Sequence, residues 1–148
     1  MEYMSLKGSN QHFTGAASEL YVAYKATESG FIVSYPLFTQ SKYDLLIDIG
    51  SKILKVQVKK ATKSAARGHE FIQIRLGGCG RSEYKENDYD YVAMVYNKHV
   101  WMLPYKDTEG HKSMSFSIFS DDSKSYSYLN KHTFEDFSKD INGKHWYD

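Results

Sequence analysis

Three side chains near one short hairpin raise a question of chemistry. Asp44 offers hard oxygen ligands, Gln57 a neutral amide oxygen, and Lys59 an ammonium group. If Gly50-Ser51 is a two-residue turn with glycine at its first central position, Ile49 faces Lys52, and counting back pairs Asp44 with Gln57. Cross-strand partners share a face of the sheet. Lys59 lies two residues beyond Gln57 and shares that face, while Val56 and Val58 point the other way into a core. This grouping suits phosphodiester cleavage. Asp44 and Gln57 are candidate ligands for Mg²⁺, with the Val58 backbone carbonyl completing part of the shell. Lys59 would orient or help deprotonate the attacking water and offset charge on the phosphate. The same residue types also make an ordinary wet hairpin face, so the trio alone leaves both readings open.

The surrounding sequence supplies elements able to position such a site. Thr14 is a candidate N-cap for a helix over Gly15 to Ser29, ending before Gly30. Ala16, Leu20, Ala23 and Thr27 recur at helical spacing and predict the face that packs on a sheet. Glu19 lies beside that stripe, placed to hold a second ion or its water. Strands are predicted over Phe31 to Leu37, Tyr43 to Ile49, Lys52 to Lys60, Phe71 to Leu76 and Asp90 to Tyr96. An Asn97-Lys98 turn leads to a strand from His99 to Leu103, with Pro104 ending the pairing. Ser115 to Phe119 alternates like an edge strand, Ser120 to Ser127 reads as a loop, and Thr133 to Asp140 as a short helix. The chain is expected to be a single domain over 1–148, with a C-terminal extension from about 120.

Composition narrows the remaining classes. Cys79 is the only cysteine, which excludes an intrachain disulfide and a cysteine-rich zinc site. The histidines are scattered with no HxxxH pair, which disfavours a histidine-held metal. The Gly77-Gly78-Cys79-Gly80 run lacks the Gly-Lys-Ser/Thr of a phosphate loop, and no Gly-x-Ser-x-Gly elbow is present. No apolar run approaches 18 residues and none opens the chain, so a cytoplasmic protein is expected. The net charge of +1 conceals an asymmetry: residues 1–75 carry ten Lys/Arg against six Asp/Glu, and residues 76–148 nine against twelve. Between Lys52 and Arg81 eight basic residues face the single acid Glu70, a local positive field suited to nucleic acid.

The segments Gly15-Ala16-Ala17-Ser18-Glu19-Leu20, Tyr43-Asp44-Leu45-Leu46-Ile47-Asp48 and Val56-Gln57-Val58-Lys59-Lys60-Ala61 together resemble the PD-(D/E)XK nuclease superfamily. More narrowly they resemble its D…QXK branch, which includes a cyanobacterial group I intron homing endonuclease. The resemblance spans roughly residues 12 to 120, and Tyr43 stands where the superfamily often has proline. It implies an α/β restriction-endonuclease-like core, a central mixed β-sheet flanked by helices. It further implies Mg²⁺-dependent cleavage of double-stranded DNA, with Mn²⁺ able to substitute, leaving 5′-phosphate and 3′-hydroxyl ends, by a homo-oligomer (dimer or tetramer). By position Glu19 is the helix acid, Asp44 the central metal ligand, Gln57 the variant ligand and Lys59 the catalytic lysine. In that setting Lys60, Lys63, Arg67 and Arg81 are candidates for phosphate contacts. Ser64, Gln73 and Arg75 are candidates for base contacts, and Thr39, Gln40 and Lys42 for contacts ahead of the hairpin. Site-specific homing, restriction, junction cleavage, and a DNA-binding module that has lost hydrolysis are the competing functions.

Overall fold

The Gly50-Ser51 turn forms as the sequence predicts. Gly50 sits at φ +93°, a conformation open to glycine at little cost, and the Ile49 N–H donates to Lys52 O at 3.0 Å. The computed structural model describes residues 10–38, 40–77, 85–117, 137–138, 140 and 144–148. The turn joins β2 (Leu45–Asp48) to β3 (Ile53–Lys60) with Leu45 opposite Val56 and Asp48 opposite Ile53, the register the turn dictates. β1 (Ile32–Ser34) pairs antiparallel with β2 on the outside. On the other side of β3 runs β6 (Tyr91–Tyr96), parallel to it, and then β7 (His99–Pro104), antiparallel to β6. The sheet order β1-β2-β3-β6-β7 is therefore mixed.

Each face of this sheet has its own cover. Helix α1 (Asn10–Glu28) packs Val22 and Ala26 onto Leu45, Ile47, Leu54, Val56 and Val58. The opposite face, through Val92, Met94, Trp101 and Leu103, meets Ile72, Ile74, Met114 and Phe116. These come from a second, three-stranded sheet of β4 (Thr62–Ala66), β5 (His69–Arg75) and β8 (Ser113–Ser117), in the order β4-β5-β8. A four-residue helix α2 (Tyr105–Thr108) follows Pro104.

Several expectations are corrected. Helix α1 begins at Asn10 rather than Gly15, so Thr14 is not its cap; Thr14 lies inside the helix, and its carbonyl accepts the Ser18 hydroxyl at 2.8 Å. The buried line on α1 is Ser18, Val22 and Ala26, whereas Leu20 is 63% exposed. Two apolar lines compete on this helix, and Phe13, Leu20 and Tyr24 form the one left in solvent. Strand β4 was read only as a polar, basic stretch, because every one of its residues is exposed and shows no alternation. It nevertheless pairs with β5 through a two-residue turn, Arg67-Gly68, at φ 51° and 80°. Pro104 does mark the end of the pairing, as its last partner opposite Tyr91. The edge strand runs from Ser113 to Ser117, two residues earlier than predicted. The Ser120–Ser127 loop and most of the 133–140 helix and glycine-rich run lie outside the described residues.

Trp146 anchors the chain end to the α1 side of the sheet. It is 2% exposed, meets Phe31, Tyr91 and Phe137 edge-on, and donates its indole N–H to Phe137 O at 2.6 Å. Trp146→Ala is expected to destabilise the protein by about 3–5 kcal/mol, read as a lower urea midpoint. Trp146→Phe should cost less, since it keeps the edge-on packing and loses the indole bond. Equal midpoints for wild type and the alanine variant would show that this contact contributes nothing.

Candidate active site

Strand β2 ends one residue before the site, and the way it ends creates the site. The Ile49–Lys52 bond fixes the parity of the hairpin, making Leu45–Val56 a hydrogen-bonded pair. The Asp44 N–H nevertheless also reaches Val56 O, at 2.9 Å. Asp44 and Leu45 thus both oppose Val56, the pattern of a β-bulge, which re-aims the side chain at its first position. The predicted Asp44–Gln57 pairing does not form; the bulge turns Asp44 toward the Leu45 face, the side on which α1 lies.

Beyond Leu45, β3 has lost its β2 neighbour. Residues whose N–H and C=O point toward β2 are the even-numbered ones, since Lys55 and Ala61 bond to the β6 side through Asp90 and Val95. The first even residue past the bulge is Val58, and its N–H donates to Asp44 Oδ2 at 2.8 Å. Its carbonyl points the same way, into the same bare edge, as strand geometry requires.

Glu19 joins this edge from the flank of α1. Burial first, then the nearby Asp44 charge and a hydrogen bond to Asp44, hold the Glu19 carboxyl above the ordinary 4.5. Asp44 is also raised above its ordinary 3.8, by burial, against the opposing Val58 N–H, Lys59 charge and Glu19 hydrogen bond. The Asp44 bond raises Glu19, whereas the Glu19 bond lowers Asp44, so the two carboxyls are coupled with opposite sign. Two carboxyl groups held close together in a partly buried place, beside an inward-facing carbonyl, form a donor set whose mutual repulsion a hard divalent cation would relieve. Among the described residues no three His, Cys, Asp or Glu gather in one place. A metal here would therefore draw on two acids and neutral oxygens.

The structure thus brings together Glu19, Asp44, the Val58 backbone and Lys59. Gln57 is 8% exposed, and strand alternation puts it with Lys59 on the face away from α1. Tyr35 was not anticipated. It directly follows β1, is half exposed, and its hydroxyl is raised by burial and then by the Glu19 charge. Only its position next to Pro36, before the hairpin, marked it in the sequence. Of the expected DNA contacts, Gln40, Lys42, Lys60, Ser64, Arg67 and Arg75 are exposed. Lys63 is tied to Glu70 at 3.0 Å. Ser64, half-buried Gln73 and Arg75 fall on the outward face of the second sheet, with Ser113 and Ser115 opposite Arg75 and Gln73. Thr39 and Arg81 lie outside the described residues. No helix among the described residues is long and apolar enough to cross a membrane.

Comparisons with known proteins bear on the family and the fold. "Protein 5.3" of Escherichia phage T7 is 48% identical over 104 residues, covering 70% of this chain and 88% of that protein. The structure of a bacterial homing endonuclease, I-Ssp6803I, superposes with a TM-score of 0.65 at 22% identity, covering 80% of this chain and 84% of that one, and so shares the fold. The PD-(D/E)XK endonuclease family model matches residues 9–137, which contain the bulged hairpin, the helix acid and both sheets, and the chain belongs to that family.

Proposed function

We propose that this protein is a divalent-metal-dependent endonuclease that cuts both strands of DNA at specific sites, of the homing or phage-borne kind. The observation that carries this reading is the Glu19–Asp44 carboxyl pair at the bare edge of β3, with Lys59 beside it. Asp44, Glu19 and the Val58 carbonyl would hold Mg²⁺ (or Mn²⁺) on the α1 side, with Gln57, on the opposite face, outside this donor set. When bound, the ion would make a coordinated water more acidic and stabilise charge on the phosphoryl group. Asp44 is fixed for this by the Val58 N–H. Lys59 places its ammonium near Asp44, where it offsets charge on the scissile phosphate and orients the attacking water. Bond cleavage on the 3′-oxygen side leaves 5′-phosphate and 3′-hydroxyl ends. Double-strand cutting calls for two such sites related by symmetry, and the exposed Phe13, Leu20 and Tyr24 line on α1 supports a homo-oligomer.

The first test is digestion of a complex phage or plasmid DNA pool with Mg²⁺, with every end mapped. Wild type should give discrete ends, and Lys59→Ala should cut at least about 100-fold more slowly. DNA binding without cutting in Mg²⁺ or Mn²⁺, on linear and four-way substrates, would make the protein a DNA-binding module instead.

The carboxyl pair gives a second, non-catalytic test. Both groups are raised in the folded state, so the fold binds their protons more tightly than the unfolded chain does. Their contribution is most favourable below about 3.8 and declines as pH rises past 4.5. Metal-free Glu19→Gln should therefore melt higher than metal-free wild type at pH 7–8, with the gap closing below about pH 4. Mg²⁺ should raise the melting temperature of wild type more than that of the variant. A variant that melts lower across the whole range would refute the compressed-pair description.

A further inference from the structure

On the flank of α1 opposite Glu19 lies a cleft of about 230 Å³ lined by Thr14, Ala17, Ser18, Tyr21, Lys60, Val95 and Lys98. We propose that it is a second nucleic-acid subsite that takes one sugar-phosphate unit of the DNA backbone, an inference that rests on the DNA-cleaving reading above. Lys60 and Lys98 come from different elements and converge on the cleft. On β3 the side chains of Leu54, Val56 and Val58 face α1, and Lys60 continues that alternation to the exposed end of the strand. Lys98 occupies the second position of the β6–β7 turn at φ 67°, a left-handed conformation uncommon for lysine. Its carbonyl accepts the Tyr21 hydroxyl at 2.6 Å, which ties the turn to the helix. The Lys98 ammonium is therefore carried on an anchored base. Neither lysine makes an ion pair with another described residue.

The floor determines what fits. Ala17, Val95 and the Tyr21 ring are apolar, and the Ser18 hydroxyl is already spent on Thr14 O at 2.8 Å. A free inorganic anion would find ammonium groups on the rim and few donors beneath. A deoxyribose would rest on the apolar floor while its flanking phosphates met the two lysines. The cleft and the carboxyl pair straddle α1, a separation of roughly 10–12 Å. That is about two phosphates apart on one strand, whose path winds around the axis as it rises 3.4 Å per nucleotide. Two points on the backbone would then be held at once, which fixes the direction of the strand across Lys59.

The test is the salt dependence of duplex DNA binding by the full chain without divalent metal. Lys98→Asn removes the charge with a residue that tolerates the left-handed turn. It should lower the log–log salt slope by about 0.9 and weaken binding several-fold at physiological salt. Lys98→Arg should keep the wild-type slope, and Lys60→Ala should behave like Lys98→Asn. Lys106→Ala, on α2 away from the cleft, should leave the slope unchanged. Ala17→Leu fills the floor without changing charge and should weaken binding by itself. Unchanged slopes in Lys98→Asn and Lys60→Ala, from a protein that still cuts DNA, overturn the cleft and leave the nuclease reading intact. A slope change with Ala17→Leu neutral reduces the site to loose surface charge and also overturns it. Wild-type protein that binds no DNA removes both readings together.

Discussion

A single hydrogen bond, from the Val58 N–H to Asp44 Oδ2, links the fold to its chemistry. A backbone donor at the edge of a sheet must find a partner when water is scarce. Here the neighbouring strand has just turned away, and a carboxylate takes the place of its carbonyl. The same substitution satisfies the edge and fixes the Asp44 carboxylate. It depends on the bulge at Asp44, on the Gly50-Ser51 turn that sets the register feeding the bulge, and on α1 closing the other side with Glu19. Shifting the register by one residue would put a different side chain at the end of β2 and carry every apolar residue of β2 to the wrong face.

The energetics of the pair follow from that placement. Burial alone would push Asp44 toward its neutral form; the Val58 N–H, Lys59 and Glu19 pull it back. Glu19 has no such help: burial, the Asp44 charge and the Asp44 hydrogen bond all raise it. The site is therefore an electrostatic conflict maintained by packing, in the sense that active sites hold arrangements the rest of the fold must support. Val22 and Ala26 provide that support, since they press α1 onto Leu45 and Val56 and so deliver Glu19 to the edge.

What could be read from the sequence tracks how local each determinant is. The hairpin register was legible because a glycine at the first turn position restricts the loop to a few geometries, and everything else follows by counting. Strands β6 and β7 and the Asn97-Lys98 turn between them were legible as short apolar runs bounded by turn residues, whereas the parallel pairing of β3 with β6, distant in sequence, was not. The bulge was not, because nothing in Tyr43-Asp44-Leu45 distinguishes an extra residue from a regular pair; the choice is made by α1 and the end of β1, both distant in sequence. The face of α1 was misread because the helix carries two apolar lines. Only the shape of the sheet decides between Val22 with Ala26 and Leu20 with Phe13. Strand β4 escaped notice because an exposed edge strand needs no alternating pattern, its stability coming from the paired backbone of β5.

The two covers of the main sheet also divide the work. The α1 side contributes the acids and, on its other flank, the Lys60–Lys98 cleft. The opposite side contributes a second sheet whose outward face, with Ser64, Gln73, Arg75 and Ser115, is polar and solvent-facing. Under the proposed DNA-cleaving function, β4 and β5 would serve as the two-stranded ribbon that a major groove admits, with hydroxyl, amide and guanidinium groups suited to base edges. Because β3 runs directly into β4 through Ala61, which is 1% exposed and bonded to Val95 O at 2.8 Å, the strand that carries Lys59 continues almost without interruption into that ribbon. Base recognition and catalysis would then share one stiff backbone path. A shift of the ribbon on a mismatched sequence would displace Lys59 directly, without a hinge between them, and discrimination would fall on the rate of cutting as well as on binding.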